Sequence, residues 1–223
     1  SVRCALCFPN DWQIENRRLT EALLASSRNL GVQLVANREV RSVRIESGRV
    51  TGVESAEAFI DAATVVIAAG AWTSEIRTSA TNSSLVQIEP VRGQMLCFKT
   101  EPALTRHVIY SARGYLVPRR DGRLLAGSTS EHVGFEKRVT DEGASSIKSM
   151  AFEIAPALES AAILDSWSGF RPHAPDDLPV IGAAEDVAGL FYATGHYRNG
   201  ILLAPITAEM LGDVVVNGKS SPW

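Results

Sequence analysis

The run Leu190-Phe191-Tyr192-Ala193-Thr194, followed by Gly195-His196-Tyr197-Arg198-Asn199-Gly200, constrains this 223-residue chain more than any other stretch. The apolar run reads as a buried strand, and residues 206–216 read as a helix. A strand, a glycine-flanked turn and a helix start bring backbone N–H groups to a ligand with little steric obstruction. Upstream, Trp167-Ser168-Gly169-Phe170-Arg171-Pro172 places one arginine on an otherwise apolar segment. Together the two stretches suggest an electron-poor ring held at a helix start, with an anionic substrate held by a guanidinium beside it.

Hydrophobic residues make up 45% of the chain, enough for a real core in one large or two small domains. The net charge of −3 gives no footprint for nucleic acid or an anionic membrane, so neither is expected as a partner. No apolar run approaches the roughly 18 residues that span a bilayer, and residues 1–7 lack the shape of a signal peptide. Three cysteines imply no disulfide framework, and a cytoplasmic setting is expected. Cys4 and Cys7 form a C-x-x-C, but no second pair follows and Phe8-Pro9 interrupts the helix that a redox role needs. They read as two small thiols near a chain end.

Along the chain, residues 16–30 predict an amphipathic helix with Leu19, Leu23 and Leu30 on one stripe and Gly31 as its stop. Residues 32–35 predict a strand. Residues 39–46 and 49–53 predict a hairpin about Ser47-Gly48, and residues 59–60 a short strand. Residues 64–70 carry apolar side chains at consecutive positions, as in a parallel-sheet strand covered on both faces. Residues 73–84 read as a polar helix end and loop. Strands are then predicted over 86–99, 107–111, 114–119, 123–128 and 163–170, with a turn at Arg120-Asp121-Gly122 and a helix over 141–154 capped by Thr140.

The fold class is therefore α/β with an α+β insertion: one α/β layer plus an inserted antiparallel sheet. Residues 1–84 and 171–223 form the discontinuous first part, and residues 85–170 the second. Sites form readily where two such layers meet.

Five motifs in order resemble the D-amino-acid oxidase superfamily of flavoproteins: Val65-Val66-Ile67-Ala68-Ala69-Gly70-Ala71-Trp72, Pro90-Val91-Arg92-Gly93-Gln94, Gly114-Tyr115-Leu116-Val117-Pro118-Arg119, Gly169-Phe170-Arg171-Pro172 and the 195–205 stretch. The nearest likeness is the glycine oxidase branch used in thiamine biosynthesis. One departure is large. The family opens on a strand, a G-x-G-x-x-G turn and a helix, and no G-x-G occurs anywhere in this sequence. The resemblance therefore implies that the α/β layer is an incomplete Rossmann-type layer and the inserted antiparallel sheet a substrate domain. The chain is expected to be a C-terminal portion of such an enzyme, or one piece of a split enzyme.

The resemblance implies oxidative deamination of a small amino acid (glycine, sarcosine or a D-amino acid) by hydride transfer to flavin, with oxygen as acceptor and peroxide as product. A quinone-linked dehydrogenase and the oxidase module of a tRNA-modifying enzyme remain as alternatives within the enzyme class, and a cofactor-free subunit outside it. The flavin does the chemistry, so no catalytic triad is expected. The implied substrate residues are Arg171, Tyr115 and Arg198. For these the competing readings are an ion pair of Arg171 with Asp176 or Asp177, a plain sheet tyrosine, and an interdomain salt bridge. The implied cofactor residues are Val40, Ala69, Gly70, Trp72, Gly93, Gln94, Gly169, His196, Asn199, Gly200, Ile201 and Leu202. Val40 reads equally as core, His196 as structural and Asn199 as an ordinary helix cap. Cys4, Cys7 and Cys97 lie outside the segment where some relatives tether flavin, so FAD is expected to be noncovalent. His107, His132 and His173 show no metal spacing, and no metal is expected. The expected partners are the amino acid and either a second copy of the chain or a chain carrying the missing half.

Overall fold

The computed structural model describes residues 4–81 and 84–218. Among the described residues, three helices and twelve strands follow one another as α1 (Asn16–Asn29), β1 (Val40–Glu46), β2 (Arg49–Ser55), β3 (Phe59–Asp61), β4 (Val65–Ile67), β5 (Arg77–Thr78), β6 (Glu89–Lys99), β7 (Ile109–Ser111), β8 (Gly114–Pro118), β9 (Arg123–Gly127), α2 (Asp141–Ile154), β10 (Ile163–His173), β11 (Val180–Ala183), β12 (Leu190–Thr194) and α3 (Gly200–Asn217). Short 3-10 turns occupy Gly70–Glu75 and Pro156–Ser160.

These strands build three sheets, in the orders β3-β2-β1-β5, β10-β6-β9-β8-β7 and β11-β12-β4. The five-stranded sheet is antiparallel throughout. Alternation along its strands buries one face against α2, where Leu96, Phe98, Leu116, Leu124 and Ala126 meet Ile147, Met150 and Ala151. Thr140 caps α2 by accepting from the Gly143 N–H at 3.1 Å, with Asp141 and Glu142 in the first turn. A second core joins the β1–β2 hairpin to the small sheet through Val43, Val50, Ile67, Val187, Leu190 and Tyr192. There β4 and β12 run parallel, with Val65 opposite Leu190 and Ile67 opposite Tyr192.

Several expectations need correction. Residues 32–35 form no strand; they are exposed and have no partner strand among the described residues, so their β-propensity goes unused. The stripe of α1 is not buried: Leu23 and Leu30 are exposed, and no residue of this helix reaches the core. β4 is covered on one face only, with Val66 41% exposed. The first strand of the large sheet begins at Glu89 rather than residue 86, because the Ser74 hydroxyl takes the Ile88 N–H at 2.6 Å. α3 starts at Gly200, six residues before the expected start, and carries Pro205 inside it. With 18 residues and a mean hydropathy of 1.4, α3 also has the length and composition of a bilayer span, although Glu209 and Asp213 interrupt its apolar run. It packs against β11 and β12 along one side. Asn82 and Ser83, within the expected 73–84 loop, lie outside the described residues.

Candidate active site

β4 and β12 end side by side, and each is followed by a turn and a helical segment. Carboxyl ends of neighbouring parallel strands are where such sheets receive ligands. Two buried hydroxyls join the turns. Thr73 Oγ1 and Thr194 Oγ1 lie 2.9 Å apart, and both donate to the Gly70 carbonyl, at 2.8 and 3.2 Å. Gly70 has φ +54°, and a Cβ built there would meet nothing within 4 Å. The backbone is therefore bare on that side.

An apolar cavity of about 760 Å³ opens beside this turn, lined by Val40, Val43, Val53, Val65, Val66, Ile67, Ala68, Ala69, Trp72 and Ile76, with Glu39 and Glu75 the charged lining residues among those described. Val40, Ala69 and Trp72 thus share one cavity. Trp72, half exposed, stacks on Phe135 with centroids 5.7 Å apart and meets Phe170 edge-on at 5.9 Å. This aromatic cluster seats the 3-10 turn against β10 and against the loop after β9.

The face of the five-stranded sheet opposite α2 carries different residues. Gly169 pairs with Gly93, Trp167 with Met95, and Tyr115 with Gly127, so these side chains and Arg171 project to one side. Arg171 lies over Gly93: a Cβ at Gly93 would stand 2.5 to 2.7 Å from its guanidinium atoms. Arg171 Nη2 donates to Ser128 Oγ at 2.6 Å, and Nη1 donates to the Thr129 carbonyl at 3.1 Å. Neither anticipated ion pair forms. Asp177 takes the His173 ring at 2.9 Å, and Asp176 accepts from the Leu178 N–H at 3.1 Å. Among the described residues no carboxylate pairs with Arg171. Tyr115 is half-buried on the same face, its hydroxyl 3.6 Å from Met95 Sδ and its ring against Tyr110.

Gln94 points to the other side. Its side chain is 0% exposed, with Nε2 donating to Glu131 and Thr140 at 2.7 and 3.2 Å and Oε1 accepting from the Thr140 N–H at 2.8 Å. It joins the cap of α2 to the loop that presents Ser128 and Thr129. Arg92, 3% exposed, reinforces that loop by pairing with Glu131 and Glu136. Burial alone would raise the Glu131 carboxyl pKa, but bonds from Thr129, Arg92 and Gln94 outweigh it and hold the carboxyl below the ordinary range. Ser128 and Thr129 escaped the sequence reading, and Arg92 stood there inside a motif with no role of its own. No local pattern marks their roles, because their partners lie 35 to 44 residues away.

The end of β10 is tied to the turn before α3. His173 bridges to His196, and the Tyr197 N–H donates to the Pro172 carbonyl at 2.8 Å. His196 Nε2 meets Thr207 Oγ1 at 2.9 Å, and burial pushes its pKa below the usual value, which keeps the ring neutral at pH 7. Asn199 occupies the cap position of α3 but makes no side-chain capping bond. The N–H groups of Gly200, Ile201 and Leu202 belong to the first turn, where helix geometry provides no acceptor, and the Ile201 and Leu202 side chains face outward. Arg198 is exposed and forms no ion pair among the described residues. The same residues contain no cluster of three metal-ligating side chains. Cys4 and Cys7 are exposed, while burial raises the pKa of Cys97 and leaves it an inert thiol.

Residues 1–214 match the family model described as FAD dependent oxidoreductase, DAO. The chain is 38% identical over 219 residues to the bifunctional protein ThiO/ThiG of Synechocystis sp., covering 96% of this chain and 32% of that protein. It is 36% identical over 207 residues to glycine oxidase of Pseudomonas putida, covering 92% of this chain and 56% of that enzyme. The solved glycine oxidase of Bacillus cereus superposes with a TM-score of 0.83 at 35% identity, over 91% of this chain and 56% of that one. The chain thus spans about half the length of the glycine oxidases it matches, and less of the bifunctional protein. A family model matched over nearly the whole sequence, on a fold shared with a solved relative, makes this chain a member of the DAO family of FAD-dependent oxidoreductases.

Proposed function

We propose that this chain forms the substrate-binding and ring-facing part of a flavoenzyme that oxidises a small amino acid: glycine, sarcosine or a small D-amino acid. Loss of hydride from the α-carbon gives the imine, water hydrolyses it to the 2-oxo acid and the free amine, and oxygen is reduced to hydrogen peroxide. The observation that carries this reading is Arg171: a guanidinium without an acidic partner among the described residues, fixed on a glycine floor, on a strand tied to the start of α3.

The residues present fit part of FAD. The first-turn N–H groups of Gly200, Ile201 and Leu202 suit an electron-rich ring edge. The bare backbone at Gly70, with Ala69, Trp72 and Val40, suits the apolar and hydroxyl-bearing parts of the molecule. A cavity whose charged lining residues, among those described, are Glu39 and Glu75 does not suit the pyrophosphate, which in this family falls to the G-x-G-x-x-G turn that the sequence lacks. Bound FAD supplies the two-electron acceptor. The chain's own residues orient the substrate. Arg171 holds the carboxylate with charge-assisted bonds. Tyr115 and Arg198 add donors at its edge. Neutral His196 and the aromatic cluster keep the surroundings free of competing charge.

In the whole protein, Arg171→Ala is expected to raise KM for amino acids by about 10²-fold, read by peroxide release. A whole protein that shows neither flavin absorbance nor peroxide release with glycine, sarcosine or D-alanine ends the proposal. A second reading concerns these residues taken alone. Val66 and the apolar side of α1 are uncovered, which favours a module that holds no flavin until a βαβ unit docks on it. A colourless, associating protein on a sizing column is expected, and a yellow monomer would refute it.

A further inference from the structure

The Arg171 guanidinium offers five N–H donors, and the described residues engage two of them, through Ser128 Oγ and the Thr129 carbonyl. The two anchors differ in kind. Thr129 is held by a buried network: its hydroxyl accepts the Gln94 N–H at 2.9 Å, and the Gln94 side chain is locked to Glu131 and Thr140. Its carbonyl is therefore part of the scaffold. Ser128 contributes a side-chain oxygen at 2.6 Å from a half-buried position, and that oxygen can be removed without touching the backbone. With Gly93 beneath, the guanidinium is bounded on three sides.

We propose that Ser128 is a positioning residue that sets the affinity for the substrate carboxylate, because its hydroxyl holds the Arg171 fork in one pose before the ligand arrives. This rests on the reading of Arg171 as the carboxylate-binding group. An arginine fork left to swing must be ordered on binding, and that ordering opposes affinity. A fork already anchored at both terminal nitrogens avoids this loss and still has three N–H donors to offer. Ser128 touches no reacting atom in this account. Its loss therefore weakens ground-state and transition-state binding alike, which raises KM and leaves kcat in place.

The test uses the whole, flavin-loaded protein and two readouts: steady-state kinetics with glycine, and calorimetric titration with acetate, which has the carboxylate but no amine to oxidise. Ser128→Ala is expected to weaken acetate binding about tenfold, the loss of one hydrogen bond to a charged group. KM is expected to rise in parallel, with kcat within about twofold of the parent. Ser128→Thr, which keeps the hydroxyl, restores most of both. Should Ser128→Ala fail to fold, Ser128→Cys keeps the volume with a poor acceptor and is expected to show the same loss. Unchanged acetate affinity in the folded Ala or Cys variant, with binding abolished by Arg171→Met, overturns the role of Ser128 alone. Acetate binding that survives Arg171→Met overturns the reading beneath it.

Discussion

Replacing Gly93 by alanine tests the floor on which Arg171 lies. The new Cβ would stand 2.5 Å from Nη2, 2.6 Å from Nη1 and 2.7 Å from Cζ, whereas ordinary contact begins at 3.4 Å. The guanidinium must therefore retreat by about 1 Å, a displacement of the size that costs about 10²-fold when a substrate clamp is misplaced. The obstacle is the tip of a flexible side chain, so the sheet has no need to move. The backbone pairing of Gly93 with Gly169 survives, and alanine in a strand interior is itself favourable by about 0.5–1 kcal/mol over glycine. The expected result in the whole protein is a fall of about 10²-fold in kcat/KM for glycine with an unchanged or slightly higher melting temperature. Peroxide-coupled kinetics and calorimetric melting read the two effects separately. A kcat/KM within twofold of the parent would show that the guanidinium pose does not govern binding. A large drop in melting temperature would show that the side chain cannot yield and that the local account is wrong.

Two further outcomes follow from the charges behind the site. Glu131 is held below the ordinary carboxylate range when folded, so its contribution is present above about pH 4.3, the unfolded value, and is lost as pH falls through the folded pKa. Glu131→Gln should flatten the acid limb of stability and lower stability at pH 7 by about 2 kcal/mol, measured by urea unfolding across pH, because buried Arg92 loses a partner. An acid limb identical to the parent's would refute this. For His196 the folded pKa is depressed by burial, so its contribution is complete above the unfolded value and disappears as pH falls through the lowered one. Its ring protons should titrate below pH 6.5 by NMR, and a midpoint at or above that value would contradict the buried setting.

The elements most legible in the sequence were those whose signals are local. The hairpin about Ser47-Gly48 and the turn at residues 120–122 supplied positive-φ glycines at Gly48 and Gly122. Thr140 with Asp141 and Glu142 marked the start of α2. Residues 32–35 misled because a run of apolar residues shows only that burial would be favourable, not that a partner strand is within reach. The stripe on α1 misled for the same reason: periodicity defines a face but not what covers it. Gln94 shows the limit for single residues. Its position in the motif places it on β6, yet only the pleat decides which side it faces, and its amide is consumed inside the protein.

By itself, the order of residues determined the alternation that makes a five-stranded sheet, the glycine-flanked turn that begins α3, and a lone arginine at 171 among apolar neighbours. These depend on contacts a few residues long, which a linear pattern can carry. Whether that arginine would be neutralised or left open was decided by the tertiary structure. It set Gly93 beneath the guanidinium, brought Ser128 and Thr129 across some forty residues to its terminal nitrogens, and gave Asp177 to His173 instead. Such choices are settled by which backbones meet at which register, and no stretch of sequence encodes its distant partner.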